Sequence, residues 1–187
     1  MSRRTIFILL AAPILLSFWF IDTAFALEVE SRYFKADVDT SVDIYRLLQK
    51  LDVEYSHHAD ILPSKKKENP QIMLEGLLDS LYLDVSDILD IHMYSLRINL
   101  NILPDKRALS DFLSRYSVKI DDMPSFYYYD NNTICISYEE MNAGMLAHET
   151  AHAIISHYFI VPPSAKVQEI LCGYVEYSLT KRARPQR

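Results

Sequence analysis

Hydrophobic positions in the first half of the chain recur with a helical period. Ile44, Leu47, Leu48 and Leu51 follow the i, i+3, i+4, i+7 spacing, which predicts a short amphipathic helix over 41–51. A longer helix is predicted over about 71–93, where one stripe carries Leu74, Leu77, Leu78, Leu81, Val85 and Ile88. Residues 52–70 contain two prolines and a lysine run and are predicted to form a loop. Residues 27–40 are a mixture of polar and apolar residues, and the hydrophobic positions among them show no convincing period.

After the second predicted helix, hydrophobic residues recur at every second position instead of with a helical period. Residues 95–102 alternate polar and apolar side chains, which predicts a half-buried strand. Residues 126–129 and 133–137 flank Asp130-Asn131-Asn132 and predict a β-hairpin with a three-residue turn. Between these strands, apolar residues over 109–116 have helical spacing.

Two further helices are predicted near the C-terminus. Ser137 with Glu140 three residues later resembles a capping box, and the helix it begins is expected to reach about Tyr158. Pro162-Pro163 interrupt the chain, and Ser164 is placed to cap a last helix that reaches about Lys181. This set of helices and strands predicts an α+β fold.

The N-terminus has the features of a targeting signal. Arg3 and Arg4 precede an apolar run over 6–21, and Ala24-Phe25-Ala26 follows as a small-x-small cleavage site. We therefore expect residues 1–26 to be a signal peptide and the mature protein to be exported, to the periplasm or outside the cell. The alternative is an uncleaved membrane anchor, and contact with a membrane is expected only in that case.

The remaining chain is predicted to form one compact domain over 27–187. It divides into an N-terminal helical segment, 27–94, and a region that carries the chemistry, 95–187.

Composition excludes two classes of partner. The net charge is −6 and no basic run exceeds Lys65-Lys66-Lys67, so no nucleic-acid partner is expected. The three glycines are far apart, so both glycine-rich phosphate-binding motifs are missing. Export would allow Cys135 and Cys172 to form a disulfide, whereas their apolar neighbours favour two small buried core residues. The sequence leaves both possibilities open.

The candidate chemistry lies in His148-Glu149-Thr150-Ala151-His152. Histidines at i and i+4 share one helical face, so both imidazoles can reach one metal ion. Glu149 lies about 100° around the helix, where it can approach the open side of the metal without being a ligand. The surrounding residues are apolar, and burying these polar groups without a purpose would cost several kcal/mol. The simpler alternative is a pair of core histidines bonded to carbonyls.

A zinc site that catalyses hydrolysis needs a third protein ligand and an open position. Glu169 and Glu176 follow the proline break, and Glu169 is the better candidate because it lies close to the turn. Gly173, one turn later, is expected to let this helix press against the motif helix. Glu176 is expected to orient a ligand from outside, or to be a solvated charge.

The segment from about Ser95 to Lys181 resembles the gluzincin metallopeptidases, and most closely the small peptidase-MA-like group. The resemblance is carried by an edge strand at 133–138, the motif helix at 146–152 and a glutamate helix at 168–174. It implies a zincin-like domain: a small mixed sheet with an edge strand over the motif helix, a C-terminal glutamate helix, and N-terminal helices before them. By the same resemblance His148, His152 and Glu169 would bind Zn²⁺, and Glu149 would be the catalytic base. Gln168 and Cys172 depart from the usual family pattern.

These features predict an exported zinc metallopeptidase that hydrolyses a peptide or protein substrate, with Glu149 as general base. The substrate would lie extended along Thr133–Ser137 at the sheet edge. Candidate oxyanion donors are Tyr158, Tyr174, Tyr177 and His157, and the sequence does not choose among them. The alternative function is a zinc-binding but catalytically inactive module that serves structure or partner binding.

Overall fold

The computed structural model describes residues 25–51, 58, 69–118 and 122–182. Residues 1–24, which hold nearly all of the expected signal peptide, lie outside these ranges. Among the helices of the described ranges, none combines the length and hydropathy needed to cross a bilayer.

In the described part of the chain a mixed sheet of five strands forms the centre of the fold, with the strand order β1-β2-β3-β5-β4. The strands are β1 (Phe25–Glu30), β2 (Phe34–Asp39), β3 (Ile98–Leu103), β4 (Ser125–Tyr128) and β5 (Thr133–Ser137). The three inner strands run parallel, and the outer strands β1 and β4 pair antiparallel with them. The predicted α+β class and mixed sheet are confirmed.

Within the described ranges, five helices cover the sheet. They are α1 (Ile44–Leu51), α2 (Pro70–Leu89), α3 (Lys106–Ser114), α4 (Ala143–Tyr158) and α5 (Ala165–Arg182). The main core lies between the sheet and four of these helices, whereas α3 packs with Leu103 and Cys135 in a separate cluster. The alternation of strand side chains therefore places Cys135 towards α3, while Cys172 of α5 lies in the main core. Both thiols are free and buried.

The N-terminal segment differs from the prediction. Residues 27–94 are not helical throughout, because β1 and β2 precede the helices and β2 pairs with β3 of the C-terminal region. Phe34, Ala36 and Val38 alternate with charged residues and are buried, so a period of two was present in this stretch. The two segments thus contribute to one sheet.

Several element boundaries also shift. The predicted helix over 71–93 ends at Leu89, because Asp90 adopts a left-handed conformation with φ 54°. The motif helix begins at Ala143, where the Asn142 side chain accepts a hydrogen bond from the Met145 backbone N–H at 3.0 Å. The predicted capping box is therefore wrong, since Ser137 is the last residue of β5 and its hydroxyl donates to Glu140. The hairpin is present, with a connection over 129–132 that is one residue longer than expected.

Candidate metal centre

The motif helix α4 lies in the interior, between the sheet and helices α2 and α5. Ten of its sixteen residues are buried. Small residues (Gly144, Ala147, Ala151 and Ala153) are among these ten, and they allow neighbouring elements to approach closely. His148 and His152 lie on the face of α4 that meets α5, where their ring centroids are 5.0 Å apart.

Glu169 of α5 faces both histidines. One carboxylate oxygen lies 3.5 Å from Nε2 of His148, and the other lies 3.3 Å from Nε2 of His152. The Glu169 side chain is 62% exposed, compared with 20% and 15% for the two histidines. Two imidazoles and a carboxylate therefore converge at a point that is open to solvent on one side.

Residues of α5 hold the opposite edges of the two imidazole rings. Nδ1 of His148 donates to Oε2 of Glu176 at 3.1 Å, and Nδ1 of His152 donates to Oε1 of Gln168 at 3.4 Å. Gln168 is itself fixed, because its Nε2 donates to the Pro163 carbonyl at 2.9 Å. When a metal is bound, a proton on each Nδ1 would leave each Nε2 free to coordinate the ion.

Glu149 is buried beside these groups, with a relative exposure of 7%. The Ser125 hydroxyl of β4 donates to its Oε1 at 2.6 Å. Burial raises the pKa of the Glu149 carboxyl, while the Ser125 hydrogen bond and the charges of His152 and His148 act in the opposite direction. The carboxylate is thus held in place by a strand residue and has a stronger affinity for a proton than a solvated glutamate.

Cys172 brings a third type of donor, a thiol, to the same place. Its Sγ and one nitrogen of each motif histidine all lie within 4.8 Å of one another, so His148, His152 and Cys172 could together bind a metal ion. The cysteine is fully buried, one helical turn after Glu169. Burial raises the pKa of the Cys172 thiol, and the charges of Glu169 and Glu149 add to the rise.

A cavity of about 420 Å³ opens in front of these side chains. Its wall includes His148, Glu149, His152, Gln168 and Glu169. The opposite side is formed by the hairpin and the residues before it, namely Met123, Phe126, Tyr127 and Tyr129. The cavity therefore lies between the α4–α5 pair and strand β4.

The strand at the sheet edge is β4, not Thr133–Ser137 as expected. Strand β5 is paired on both sides, with β3 and with β4, and all five of its side chains are buried. Among the described strands, β4 pairs with β5 on one side only, so its outer backbone groups face away from the sheet. An extended ligand can add only to an unpaired edge, which excludes Thr133–Ser137.

Gly173 does not make the close helix contact that its spacing suggested, because a Cβ there would meet nothing within 4 Å. The close approach is at Gly144 of α4 instead. A Cβ on Gly144 would lie 2.7 Å from Oγ1 of Thr180 and 3.3 Å from Cγ of Glu176. Gly144 therefore lets α5 lie close enough for its side chains to reach the histidines.

The candidate oxyanion donors Tyr158, Tyr174 and Tyr177 are exposed by 53–62% and lie outside the cavity wall as the described residues form it. The cavity contains Tyr127 and Tyr129 of the hairpin instead. Burial raises the pKa of the Tyr127 hydroxyl, which donates to Asn132 at 3.0 Å.

Three groups at the site were not predicted from the sequence: Ser125, Gln168 as the partner of His152, and Cys172 as a donor. For Cys172 a signal existed, since it follows Glu169 by three residues and so lies near the same helical face.

No protein-family model, curated protein or solved structure matches this chain.

Proposed function

We propose that this protein is a zinc-dependent peptidase of the gluzincin type, with a zincin-like arrangement of sheet and helices. The observation that carries the proposal is the position of Glu169, whose two oxygens lie 3.5 and 3.3 Å from Nε2 of His148 and His152. Ligand atoms that share one tetrahedral zinc at about 2.1 Å are separated by roughly 3.4 Å. The two nitrogen–oxygen distances are close to this separation, and imidazole and carboxylate are both ligands that Zn²⁺ accepts.

Glu176 and Gln168 support this assignment, because they hold the two histidines from the far side. A carboxylate or amide oxygen that accepts from Nδ1 fixes the tautomer that a metal-binding Nε2 needs. Glu176 therefore acts as a positioning residue and Glu169 as a ligand.

In the proposed reaction a bound zinc ion would polarise the substrate carbonyl and activate a water molecule. Glu149 accepts the proton of the attacking water and later delivers it to the leaving nitrogen. Ser125 holds the Glu149 carboxylate in one orientation through a hydrogen bond of 2.6 Å. The Glu149 side chain needs such a fixed position because the proton moves twice across short distances.

The substrate we propose is an extended peptide that pairs with β4. This strand borders the cavity through Phe126 and Tyr127, and its outer edge is not paired with another described strand. Backbone hydrogen bonds to β4 would hold the peptide in register, and the cavity would receive a side chain. Given the N-terminal segment, we place this activity outside the cytoplasm.

Replacing Glu149 with Gln tests the function directly. Glutamine keeps the size of the side chain and can still accept from Ser125, but it cannot accept a proton from water at neutral pH. We expect the variant to bind zinc as the parent does and to cleave peptides about 10²–10⁴-fold more slowly. Asp87→Asn, which makes the same chemical change on α2 far from the cavity, is the matched control and should cleave at the parental rate.

Cys172 favours a second candidate function, a zinc-binding module without catalytic activity. If its thiolate bound together with His148, His152 and Glu169, four protein ligands would complete the tetrahedron and leave no position for substrate. Cobalt-substituted protein distinguishes the two, because a thiolate ligand gives an intense near-ultraviolet charge-transfer band. If the parent protein shows this band and Cys172→Ser does not, the site is closed by four protein ligands. If the parent protein shows no such band, the result supports the peptidase.

A further inference from the structure

A large apolar surface on the outside of α5 and on the loop before it takes no part in the proposed site. Of the fourteen large apolar side chains that are exposed in the described residues, eight lie between positions 158 and 177. They are Tyr158, Phe159, Ile160, Val161, Val167, Ile170, Tyr174 and Tyr177, and we refer to them together as the apolar flank. Ile160 and Val161 are exposed by 102% and 82%.

The helical part of the apolar flank forms one continuous stripe. At 100° per residue, Val167, Ile170, Tyr174 and Tyr177 fall within an arc of roughly 80° on α5, and Lys166 and Lys181 fall in or beside the same arc. The buried residues Cys172, Val175 and Leu179 occupy a different side of the helix. Amphipathic helices normally turn charged residues outward, so this stripe is unusual for a free surface.

The charges of α5 are divided between its faces. Its two acidic residues, Glu169 and Glu176, both contact His148. On the stripe the charged residues are Lys166 and Lys181, both exposed. The ammonium group of Lys181 lies 5.9 Å from the ring centre of Tyr177. Among the described residues the charges on this apolar surface are both positive, although the net charge of the chain is −6, so the surface is complementary to a partner that is apolar and negatively charged.

The loop extends this surface. Residues 158–164 carry no charged side chain, and Pro162-Pro163 stiffen the segment that presents Ile160 and Val161. Aromatic side chains, aliphatic tips and flanking lysines are the combination that inserts into the boundary between lipid headgroups and acyl chains. Lysines contribute by attraction to anionic lipids.

We propose that the apolar flank docks onto the surface of an anionic lipid bilayer, with Ile160 and Val161 inserted below the headgroups. Pro162 and Ala165, which lie next to these residues in the chain, line the cavity. Docking would therefore hold the cavity mouth beside the membrane. The proposal concerns binding alone and does not depend on peptidase activity or on bound metal.

A fluorophore placed at the loop tip tests this docking locally. Both native cysteines are buried, so a polarity-sensitive dye can be attached selectively to Val161→Cys in the full chain. The matched control is the same dye on Tyr45→Cys, since Tyr45 is 65% exposed on α1, which packs against α2. A local dye separates insertion of the loop from any membrane contact made by residues 6–21.

With vesicles of phosphatidylcholine and a quarter phosphatidylglycerol, we expect the dye at position 161 to brighten and shift to the blue. Nitroxide-labelled lipid should quench it, and the dye at position 45 should not respond. Ile170→Asp in the labelled chain should weaken the vesicle response by about 10-fold or more, because a large apolar side chain is lost from the contact. Unchanged thermal stability would show that this variant is folded.

Three results would overturn the proposal. The first is no response at position 161, and the second is an equal response at positions 161 and 45. The third is a response without vesicles that grows with protein concentration and disappears in Ile170→Asp, because a second copy of the chain would then cover the flank. Equal responses to anionic and purely zwitterionic vesicles would remove the role of the lysines and contradict the charge argument.

Discussion

The two helices that build the metal centre occupy opposite environments. Helix α4 is enclosed by the sheet and two other helices, whereas α5 is buried on one side only. Each buried polar side chain of α4 has a partner: Glu149 accepts from Ser125, Thr150 donates to the Leu146 carbonyl, and Ser156 donates to Gln168. On α5 the Glu169 side chain is 62% exposed and that of Glu176 is 44% exposed.

This difference in burial explains why the functional side chains of α4 are easier to predict from the sequence than those of α5. Polar groups in an apolar helix are costly unless they are paired, so their presence in α4 already indicates a purpose. Exposed carboxylates carry no such cost, so the residue pattern of α5 alone does not separate a ligand from a solvated charge. The geometry separates them, since Glu169 faces Nε2 of both histidines and Glu176 faces Nδ1 of one.

The largest effect is expected from removing a histidine of α4. His148→Ala should reduce bound zinc and peptide cleavage to background and lower the melting temperature of zinc-loaded protein, because the ion links the two helices. His157→Ala, on the same helix but outside the donor set, should retain one zinc per chain. Metal analysis by mass spectrometry checks both variants, and loss of zinc in His157→Ala would contradict the assignment.

The two glutamates of α5 should differ in a graded way. Glu169→Ala should remove zinc almost completely, because in the proposed peptidase site Cys172 is not a ligand and two histidines alone hold zinc weakly. Glu176→Ala removes only the partner of His148 Nδ1 and should weaken zinc binding by about 10–100-fold. Competition with a chelator of known affinity measures both values. If Glu176→Ala empties the site and Glu169→Ala leaves it full, the roles are reversed.

The glycines of the two helices test how closely the helices pack. Gly144→Ala would push a methyl group against Thr180 and should destabilise the fold by about 1–3 kcal/mol. Gly173→Ala meets open space and should instead stabilise it by about 0.4–1 kcal/mol. Urea unfolding of both variants measures the opposite signs. Equal destabilisation by both substitutions would place the close contact elsewhere.

The smallest effect on the stability of the fold is expected at an ion cluster outside the site. It shows how little a partly exposed ion pair contributes compared with the groups of the metal centre. Burial acts to raise the pKa of Asp87, but hydrogen bonds from His58 and His92 outweigh it and lower the pKa below 3.8. A lowered carboxyl pKa stabilises the fold above pH 3.8, and this contribution is lost as the pH falls through the folded-state value.

Asp87→Asn should therefore cost about 1 kcal/mol or less near pH 5, and the difference from the parent should shrink as the pH falls below 3.8. Thermal unfolding across this range measures it. A difference that grew on acidification would mean that Asp87 is not stabilised in its charged form.

Much of the architecture could be predicted from local sequence. The periods of α1 and α2 are visible because each helix buries one face. The alternation of β3 and the turn residues of the β4–β5 hairpin also reveal strands, although β3 is not half-buried as predicted, since five of its six residues are buried. The β1–β2 hairpin was missed because three of the six residues of β2 are charged, and aspartate is uncommon in strands. The order of strands depends on pairing between distant segments, which no local period encodes.

The residues of the candidate site also fall into those that a local motif reveals and those that only the fold brings together. His148, Glu149 and His152 form one local motif, and Glu169 follows the next turn of the chain. Ser125 lies 24 residues before Glu149 on another strand, so only the folded structure brings the two together. The uninterrupted apolar run Ile134-Cys135-Ile136 did carry a signal that β5 is an inner strand, because strands buried on both faces lose their alternation.

The central claim is that His148, His152 and Glu169 hold a zinc ion on which peptide hydrolysis depends. The most direct test measures the zinc content of the purified protein together with cleavage of a peptide library, before and after chelation and after zinc is restored. We predict one zinc per chain, loss of cleavage with the chelator and recovery with zinc. Peptide cleavage that continues unchanged in metal-free protein, or a zinc-loaded protein that cleaves no peptide, would contradict the claim.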